Sequence, residues 1–327
     1  MSSPRRKEGA VIRAFGLRDV PAVYRLQQDG AWLDLYHYLI HRRTALSTAL
    51  IAPVPWRVTG LASYVWQTAQ GVQGFVQLLR RPSGQEADVL FIAPALQRAL
   101  DAEAAWEALL SHCVASATQA GMRRLFVSLP EDSEEQEVLV SLGFAVYIGE
   151  TIWRLDEPRP VTAPANGALR QRHPDDAWWL RRLYSRHTPP AVQHAEGIGE
   201  TDELSAWPRA WWELSHVESY VLERAGEVAG GVQLVSGRRG HWLILHGNAS
   251  DEEAMLTLLQ QGLHALRESR WPVYCAVRDY QGGLNVLLEE AGFYPYTRRL
   301  RAVKHMASRV KEAHLAPLPS LAIRNFS

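Results

Sequence analysis

Carboxylates stand at the start of two predicted helices, a position where many enzymes hold a phosphate group. The segment "LQRALDAEAAWEALL" brings Asp101 and Glu103 to the first helix, and "GNASDEEAMLTLL" brings Asp251 and Glu252 to the second. A helix N-terminus offers free N–H groups and partial positive charge, so it attracts anions. Because Asp101 or Ser250 can cap these helices and the acids satisfy their dipoles, we expect weaker binding of a diphosphate there.

Composition limits the class of protein. The 327 residues are 47% hydrophobic and 21% charged, with 35 basic and 35 acidic side chains. This length and composition predict two globular domains, and the balanced charge favours neither a nucleic-acid partner nor a membrane partner.

Cys113 and Cys275 lie in apolar segments without metal-ligand spacing, which predicts buried free thiols in a reducing compartment. No apolar run reaches the ~18 residues of a membrane span. The basic start lacks the apolar block of a secretory signal, and we expect a cytoplasmic protein.

The two halves of the chain repeat the same order of parts. Residues 103–144 align without gaps to residues 252–293 at a shift of 149, and the identities fall on apolar and turn positions such as Leu109/Leu258 and Phe144/Phe293. This pattern indicates an internal duplication. We predict an N-terminal domain over 1–156, a proline-rich linker over 157–166, a C-terminal domain over 167–305 and a tail over 306–327.

Each half is predicted to contain a strand, one or two helices, three strands, a helix, a strand, a helix and closing strands. In the first half the strands are placed at 11–15, 61–68, 72–80, 89–92 and 124–129, with helices at 101–120 and 134–142 and a last strand pair at 144–154. In the second half the later elements are a helix at 251–268, a strand at 272–277, a helix at 283–291 and closing strands from residue 293.

This order resembles the GCN5-related N-acetyltransferase superfamily. The segments "SLGFAVY" and "EAGFYPY" look like the family's helix-to-strand junction, and "FIAP" looks like the end of its fourth strand. The resemblance implies an α/β (α+β) fold. Two tandem domains of this kind would each have a mixed, mostly antiparallel twisted sheet flanked by helices.

The resemblance also implies acetyl-CoA as the cofactor. In the family, a glycine-containing loop, Q/R-x-x-G-x-G/A, cradles the pyrophosphate at a helix start. Counted back from the aligned leucines, the loop positions hold "DAEAAW" and "SDEEAM", which contain no glycine. A second register, counted forward from "FIAP", places "QRALDA" at the loop and makes the first half the better candidate. The predicted cofactor-binding residues are then Phe91, Ile92, Ala93, Gln97, Arg98, Ala99, Leu100, Asp101 and Ala102.

Acyl transfer to an amine needs a base for the amine proton and an acid near the leaving thiolate. The family's usual tyrosine acid is replaced by Leu139 and Leu288. We therefore name Tyr147 as the candidate acid. His246, at the end of the strand "WLILHG", is the candidate base, because the resemblance puts it near the reacting carbonyl.

Two functions remain open at this stage. One is an acyl-CoA-dependent N-acyltransferase with at most one active half, acting on an unknown small-molecule or peptide amine. The other is an inactive tandem protein of the same fold that serves as a binding or scaffold protein. Transfer of aminoacyl groups from tRNA is a third possibility, which the balanced charge does not favour.

Overall fold

The computed structural model describes residues 10–41, 44–50, 60–158, 169–197 and 216–306. The first half contains, in chain order, β1 (Val11–Ala14), α1 (Val20–Leu26), β2 (Ala31–Trp32), α2 (Leu35–His41), α3 (Ala45–Ala49), β3 (Leu61–Thr68), β4 (Gly71–Arg80), β5 (Glu86–Ala93), α4 (Ala102–Gln119), β6 (Arg124–Pro130), α5 (Glu135–Ser141) and β7 (Ala145–Leu155). The second half contains β8 (Leu169–Gln171), α6 (Asp176–His187), α7 (Pro190–Glu196), β9 (His216–Arg224), β10 (Glu227–Ser236), β11 (His241–Gly247), α8 (Glu252–Ala265), β12 (Val273–Arg278), α9 (Gly283–Glu290) and β13 (Tyr294–His305).

The strands form one continuous sheet through both halves. Its order is β1-β3-β4-β5-β6-β13-β7-β12-β11-β10-β9-β8, with β2 added on β5. The pairs β5–β6 and β11–β12 are parallel, and the other pairs are antiparallel. The predicted fold class, a mixed and mostly antiparallel sheet flanked by helices, is confirmed.

The two halves exchange their last strands. The strand β13 of the second half pairs with β6 of the first half, and β7 of the first half pairs with β12 of the second. The two exchanged strands also pair with each other along most of their length. The predicted pair of closing strands in each half is therefore wrong. Each half supplies one long strand, and its antiparallel neighbour comes from the other half.

Four helices cover one face of the sheet and enclose two equivalent cores. In the first half α4 and α5 pack on the strands around Trp106, Leu109 and Leu139. In the second half α8 and α9 pack around Leu258 and Leu288. The leucines that replace the family's tyrosine are thus buried core residues. Both cysteines lie in these cores as buried free thiols, as predicted.

On the opposite face, one short helix of each half crosses to the other half. Helix α2 of the first half packs on Trp242 and Tyr274 of the second half, and the backbone N–H of Arg239 donates to the Ile40 carbonyl at 3.0 Å. Helix α7 of the second half places Ala195 against the first-half Phe126. With the strand exchange, these contacts bury charged groups from both halves in the centre of the sheet.

Equivalent side chains confirm the internal duplication. Arg13 donates two hydrogen bonds to Asp19 at 2.6 and 2.7 Å, and Arg170 donates two to Asp176 at 2.7 Å each. In both halves the arginine lies on the first strand and the aspartate at the start of the following helical segment. The repeat in the sequence therefore reflects a repeat in three dimensions.

The predicted domain boundaries remain predictions, because most of the residues concerned lie outside the described ranges. The proposed linker, 157–166, is described only at its first two residues, and the proposed tail, 306–327, only at Met306.

Candidate functional site

The parallel strands of each half separate part of the way along their length. In the first half the β5–β6 pairing runs from Glu86 to Asp88 and then ends. In the second half the β11–β12 pairing runs from His241 to Leu243 and then ends. Both strands of each pair continue beyond that point. These two openings correspond to the place where the resemblance puts the cofactor.

The opening of the first half is filled by the chain itself. Residues Ala31 and Trp32 pair with Ile92 and Phe91 of β5. Leu33 then bridges the two separated strands, since its N–H donates to the Leu90 carbonyl and its carbonyl accepts from the Ser128 N–H, both at 2.9 Å. A backbone segment therefore occupies the path between β5 and β6.

This arrangement does not favour the prediction that the first half holds the cofactor. Phe91, Ile92 and Ala93 are fully buried, with β4 on one side and β2 on the other side of β5. The backbones of Phe91 and Ile92 have strand partners on both sides, so these two residues offer no free strand edge to a coenzyme.

The predicted phosphate loop of the first half also lacks the required geometry. Gln97 approaches Glu135 at 3.4 Å, Arg98 is exposed with its nearest carboxylate, Asp29, at 3.9 Å, and the side chain of Leu100 is exposed. Ala99 is extended, Asp101 is the N-cap of α4 without a side-chain capping bond, and Ala102 is buried as the first helical residue. An exposed leucine thus stands where a glycine would let a diphosphate approach, and a carboxylate follows it.

Gly30 makes the filled opening sterically possible and gives a test of it. A Cβ at this position would lie 2.0 Å from the ring of Phe91, which is fully buried. We expect Gly30→Ala to lower the free energy of unfolding by about 1–3 kcal/mol, as over-packing of a core does. Gly16→Ala is the matched control, because its Cβ would approach only Asp19, at 3.8 Å, and its backbone is also extended. Equal urea midpoints for Gly30→Ala and Gly16→Ala would contradict the close packing of Gly30 against the Phe91 ring.

In the second half the corresponding opening leads into a cavity of about 170 Å³. Residues Leu243 to His246 form one side of it, and Ala276 and Arg278 form the other. Among the described residues, no segment lies between β11 and β12 in the way that Ala31 to Leu33 lies between β5 and β6. In the described part of the chain, the diverging strands of the second half therefore open onto internal space, whereas Leu33 stands between those of the first half.

The mouth of this second opening is narrow. The loop after β11 contacts the start of α9 so closely that a Cβ on Gly283 would lie 2.5 Å from the Ala249 carbonyl oxygen. The N-cap of α8 is Asp251, rather than the predicted Ser250, and its carboxylate accepts from the Ala254 N–H at 3.1 Å. Arg224 lies 3.3 Å from the carboxylates of both Asp251 and Glu253, so these acids already have a cationic partner.

His246, the predicted base, lies on the cavity wall. It is the last residue but one of β11, and Arg172 and Leu180 lie beside it in a small adjoining pocket. Burial, aided by Arg172 and Arg278, lowers the pKa of His246 to about 4. The imidazole is therefore neutral at pH 7, and one ring nitrogen is available as a proton acceptor.

His241, at the other end of β11, has a structural role. Its ring lies 2.8 Å from the Ser236 hydroxyl and 2.6 Å from the Ser269 hydroxyl, and burial lowers its pKa to about 4. Since the unfolded chain binds a proton near pH 6.5 and the folded chain does not, stability is lost as the pH falls from 6.5 towards 4.

We expect the free energy of unfolding to fall with a slope of up to about 1.4 kcal/mol per pH unit from His241 in this range. His241→Gln should reduce the slope, whereas the exposed His216, replaced by Gln, should leave it unchanged. Urea unfolding at pH 6.5, 5.5 and 4.5 measures the slope. The same slope in His241→Gln and the wild-type chain would contradict the assigned pKa.

Glu196, at the end of α7, is the centre of a hydrogen-bond network in the cavity wall. Arg278 donates to both of its carboxylate oxygens, at 2.7 and 3.1 Å. The hydroxyls of Tyr184 and Tyr147 donate to the same carboxylate at 2.8 and 3.2 Å. Despite burial, Arg278, Arg301 and these hydrogen bonds lower the pKa of Glu196, so it is ionised at pH 7.

Tyr147, the predicted acid, does not reach the cavity. Its ring packs against Phe126, its hydroxyl faces Glu196, and burial raises its pKa. Tyr184 of α6 lines the cavity, and its pKa is also raised, first by burial and then by Glu196. The sequence did not single out Tyr184, because α6 carries several aromatic residues with similar spacing.

A second group of charges lines the first-half side of the cavity. Arg81 donates to both oxygens of Asp88 at 2.7 and 2.8 Å, and its guanidinium lies 3.9 Å from the ring centroid of Phe126. Glu86 pairs with Arg81 at 3.4 Å and with Arg124 at 3.2 Å. Both Glu86 and Asp88 stand near the start of β5, beside a turn, and both are buried.

Other candidate sites find no support in the described part of the chain. No group of His, Cys, Asp and Glu side chains there could hold a metal ion. No helix there has the length and hydropathy needed to cross a bilayer. Trp178 is exposed on α6 and Trp179 is half-buried beside it. The other tryptophans of this region, Trp207, Trp211 and Trp212, lie outside the described residues.

The fold was compared with known proteins. No protein-family model matches the chain, and no curated protein matches it in sequence. A GCN5-related N-acetyltransferase from Sphaerobacter thermophilus aligns over 93% of this chain and 97% of its own, with a TM-score of 0.52 and 14% identity. A tandem GNAT protein from the clavulanic acid biosynthesis pathway aligns over 90% and 98%, with a TM-score of 0.53 and 14% identity. A putative acetyltransferase from Pyrococcus horikoshii aligns over 92% and 91%, with a TM-score of 0.50 and 10% identity.

These similarities extend over nearly the whole chain at low sequence identity, so they establish the fold. The repeated halves and the diverging parallel strands agree with it. The chain has the fold of the GCN5-related N-acetyltransferases, in the tandem form that carries two copies on one polypeptide.

Proposed function

We propose that the protein is an acyl-CoA-dependent N-acyltransferase in which only the second half binds the coenzyme. The observation that carries this proposal is the difference between the two openings. Residues Ala31 to Leu33 fill the first, whereas the second leads into the central cavity. The first half would then act as a support that closes the cavity through β7, α2 and the charged side chains of Arg81 and Asp88.

The residues of the second opening fit an acyl-CoA. Ile244, Leu245 and His246 continue β11 beyond its pairing with β12, so their backbone edge on that side is not engaged by β12. The Leu243 side chain makes the inner end of the opening apolar, as the pantetheine arm requires. When bound, acyl-CoA supplies a thioester-activated acyl group, which an amine takes up with loss of one proton as the thiol departs.

The chain's own residues would manage that proton and the position of the acceptor. His246 is neutral at pH 7 and lies where the opening meets the cavity, so it is the residue that we assign to accept the proton. Tyr184 lines the cavity, and its hydroxyl donates a hydrogen bond to Glu196. We therefore assign to Tyr184 the role of the acid that the sequence analysis gave to Tyr147. Gln281 adds an uncharged amide to the same wall.

Thermal unfolding with acetyl-CoA tests the proposal and its assignment to one half. A ligand at one hundred times its dissociation constant adds about 2.7 kcal/mol of stability, which raises the unfolding midpoint measurably. Glu252 and Glu103 are exposed, equivalent residues in the first turns of α8 and α4. We expect Glu252→Gln to bind acetyl-CoA about 2- to 5-fold more tightly, because it removes one anion worth about 0.3–1 kcal/mol at that helix end. Glu103→Gln should bind as the wild type does. No shift at millimolar acetyl-CoA would refute the proposal.

A coenzyme-independent binding protein is the second candidate function. The contact between Gly283 and Ala249 and the carboxylates around Arg224 favour it, because both narrow the route for a diphosphate. In that case the cavity would bind a small molecule without transferring a group to it. A midpoint that rises with a small polar ligand and stays constant with acetyl-CoA would select this function.

A further inference from the structure

The central cavity carries charges of both signs on one continuous wall. Glu150 lies on β7, the middle strand, with Arg278 opposite it on β12 and Arg299 opposite it on β13. Arg301, two residues further along β13, points its Nη1 towards Glu150 at 3.7 Å. The wall is thus an arginine–glutamate–arginine row that crosses three adjacent strands, and both halves contribute to it.

Glu150 is the unusual member of this row. It is 5% exposed and lines the cavity, yet its carboxylate accepts no hydrogen bond from any of the described residues. Every other carboxylate on the cavity wall receives at least one: Asp34 from His37, Asp88 from Arg81, and Glu196 from Arg278. Buried carboxylates are ordinarily hydrogen-bonded, because desolvation without compensation is costly. Glu150 therefore presents acceptor oxygens to a donor that enters the cavity.

The charge balance limits what that donor can belong to. Four carboxylates and three guanidiniums line the cavity, and Arg299, next to Glu150 on the sheet, supplies a fourth guanidinium: the residues are Asp34, Asp88, Glu150, Glu196, Arg81, Arg278, Arg301 and Arg299. A ligand with a single net charge would disturb this balance in a buried place. A ligand that carries one positive and one negative group preserves it.

The cavity also limits the size and shape of the ligand. Its volume of about 170 Å³ is close to the ~150 Å³ of a protein cavity that binds benzene. Tyr36, Ile152 and Trp242 form an apolar part of the cavity lining, and Ile152 lies beside Glu150 on the same face of β7. A compact molecule with one amino group, one carboxylate and a small apolar side chain matches these features.

We propose that the cavity binds a small amino acid, with its ammonium group on Glu150 and its carboxylate on the flanking Arg278 and Arg301. The inference deepens the proposed function by naming the class of acyl acceptor, but the binding step does not require acyl-CoA. For transfer, the bound ammonium would lose one proton to His246, and the neutral amine that remains would lose its second proton to the departing thiolate. An ammonium group donates three hydrogen bonds and supplies the donors that Glu150 lacks, while arginine is well suited to bind a carboxylate.

Thermal unfolding of the full chain without acetyl-CoA tests the inference. The probes are alanine and valine, compared with ethylamine, propionate and N-acetylalanine at the same concentrations. Alanine or valine should raise the unfolding midpoint, whereas the three probes that lack one charged group should not. A shift with ethylamine equal to that with alanine would overturn the role of the carboxylate, and a shift with no probe would overturn the inference as a whole.

A pair of variants locates the binding. Glu150→Gln should weaken alanine binding by about 10- to 100-fold, the loss expected for one charge-assisted hydrogen bond. Glu131→Gln, which removes an exposed partner of Arg298, should bind as the wild type does. The midpoint of Glu150→Gln without ligand shows whether that variant folds, and the probe series on the wild-type chain remains decisive if it does not. Alanine binding that is equal in both variants would overturn the assignment of Glu150.

The outcomes separate this inference from the proposed function. Alanine binding without any acyl transfer would support the inference and count against the enzyme. Transfer of an acetyl group to ethylamine, but not to alanine, would support the enzyme and refute the inference.

Discussion

A chain that ends at Gly292 is expected not to fold in either half. Such a chain lacks β13, which pairs with β6 from Arg299 to His305 and with β7 from Tyr294 to Val303. The loss leaves both neighbouring strands without partners in the middle of the sheet and exposes the buried charges of the cavity wall. Each lost backbone hydrogen bond costs about 0.5–1.5 kcal/mol, and the burial of Ala302 and Val303 is lost as well. The summed loss of stability exceeds the free energy of unfolding of a typical protein, which is ~5–15 kcal/mol.

Circular dichroism and urea unfolding of the truncated chain measure this effect. A chain that ends at Met306 is the matched control, because it keeps all of β13, and we expect it to unfold cooperatively with near-wild-type stability. The exchange also predicts that residues 1–158 and 159–327, expressed together as two polypeptides, purify as a complex. A folded chain ending at Gly292, with a cooperative transition in its first half, would contradict the observed exchange.

Replacement of Glu196 by Ala is expected to have the next largest effect. Glu196 is 5% exposed and is the hydrogen-bonded partner of Arg278, whose side chain is 19% exposed. Removing one member of such a pair leaves an uncompensated buried charge, which costs about 3–5 kcal/mol. The hydroxyls of Tyr184 and Tyr147 lose their acceptor in the same variant, so the loss should lie towards the upper end of this range.

The double variant Glu196→Leu/Arg278→Met distinguishes a charge effect from simple loss of packing. Because both charges disappear, it should be more stable than Glu196→Ala. The exposed pair Arg298–Glu131 provides the control, and Glu131→Ala should change the free energy of unfolding by less than about 1 kcal/mol. A Glu196→Ala chain as stable as Glu131→Ala would show that the buried network contributes nothing.

The sequence predicted those features that depend on local pattern. The helix at 101–120 is α4 (Ala102–Gln119), and the strand at 61–68 is β3 (Leu61–Thr68). The shift of 149 residues relates Leu109 to Leu258, and each packs against a glycine of a central strand, Gly74 or Gly230. Apolar periodicity and turn residues are short-range signals, so they survive a low overall identity between the halves.

The strand exchange could not be predicted from the same signals. β7 and β13 are equally good strands, and nothing in their alternation states which half each completes. The filled opening was missed because β2 is only two residues long and "AWL" carries no distinctive pattern. Gly30 is the residue in the sequence that could have indicated the filled opening. A glycine before a short strand lets the backbone approach a buried ring closely, as Gly30 approaches Phe91.

The buried charges were missed for a different reason. Glu86 and Asp88 stand at the start of a strand beside a turn, and Glu150 and Arg301 lie in the closing strands, where local pattern does not show that a charged side chain faces inwards. Glu86, Asp88 and Glu150 are buried, and Asp88, Glu150 and Arg301 line a cavity to which both halves contribute, which is long-range information. Inward-facing charges on both closing strands are the signal that could have indicated a shared polar cavity.

Hydrogen exchange with and without acetyl-CoA tests the central claim most directly, because it reports which strand edge the coenzyme covers. We predict that acetyl-CoA slows amide exchange in residues 244–247 and 276–281 of the second half and leaves residues 89–93 of the first half unchanged. Slowed exchange at residues 89–93, or unchanged exchange in both openings at saturating acetyl-CoA, would contradict the assignment of the coenzyme to the second half.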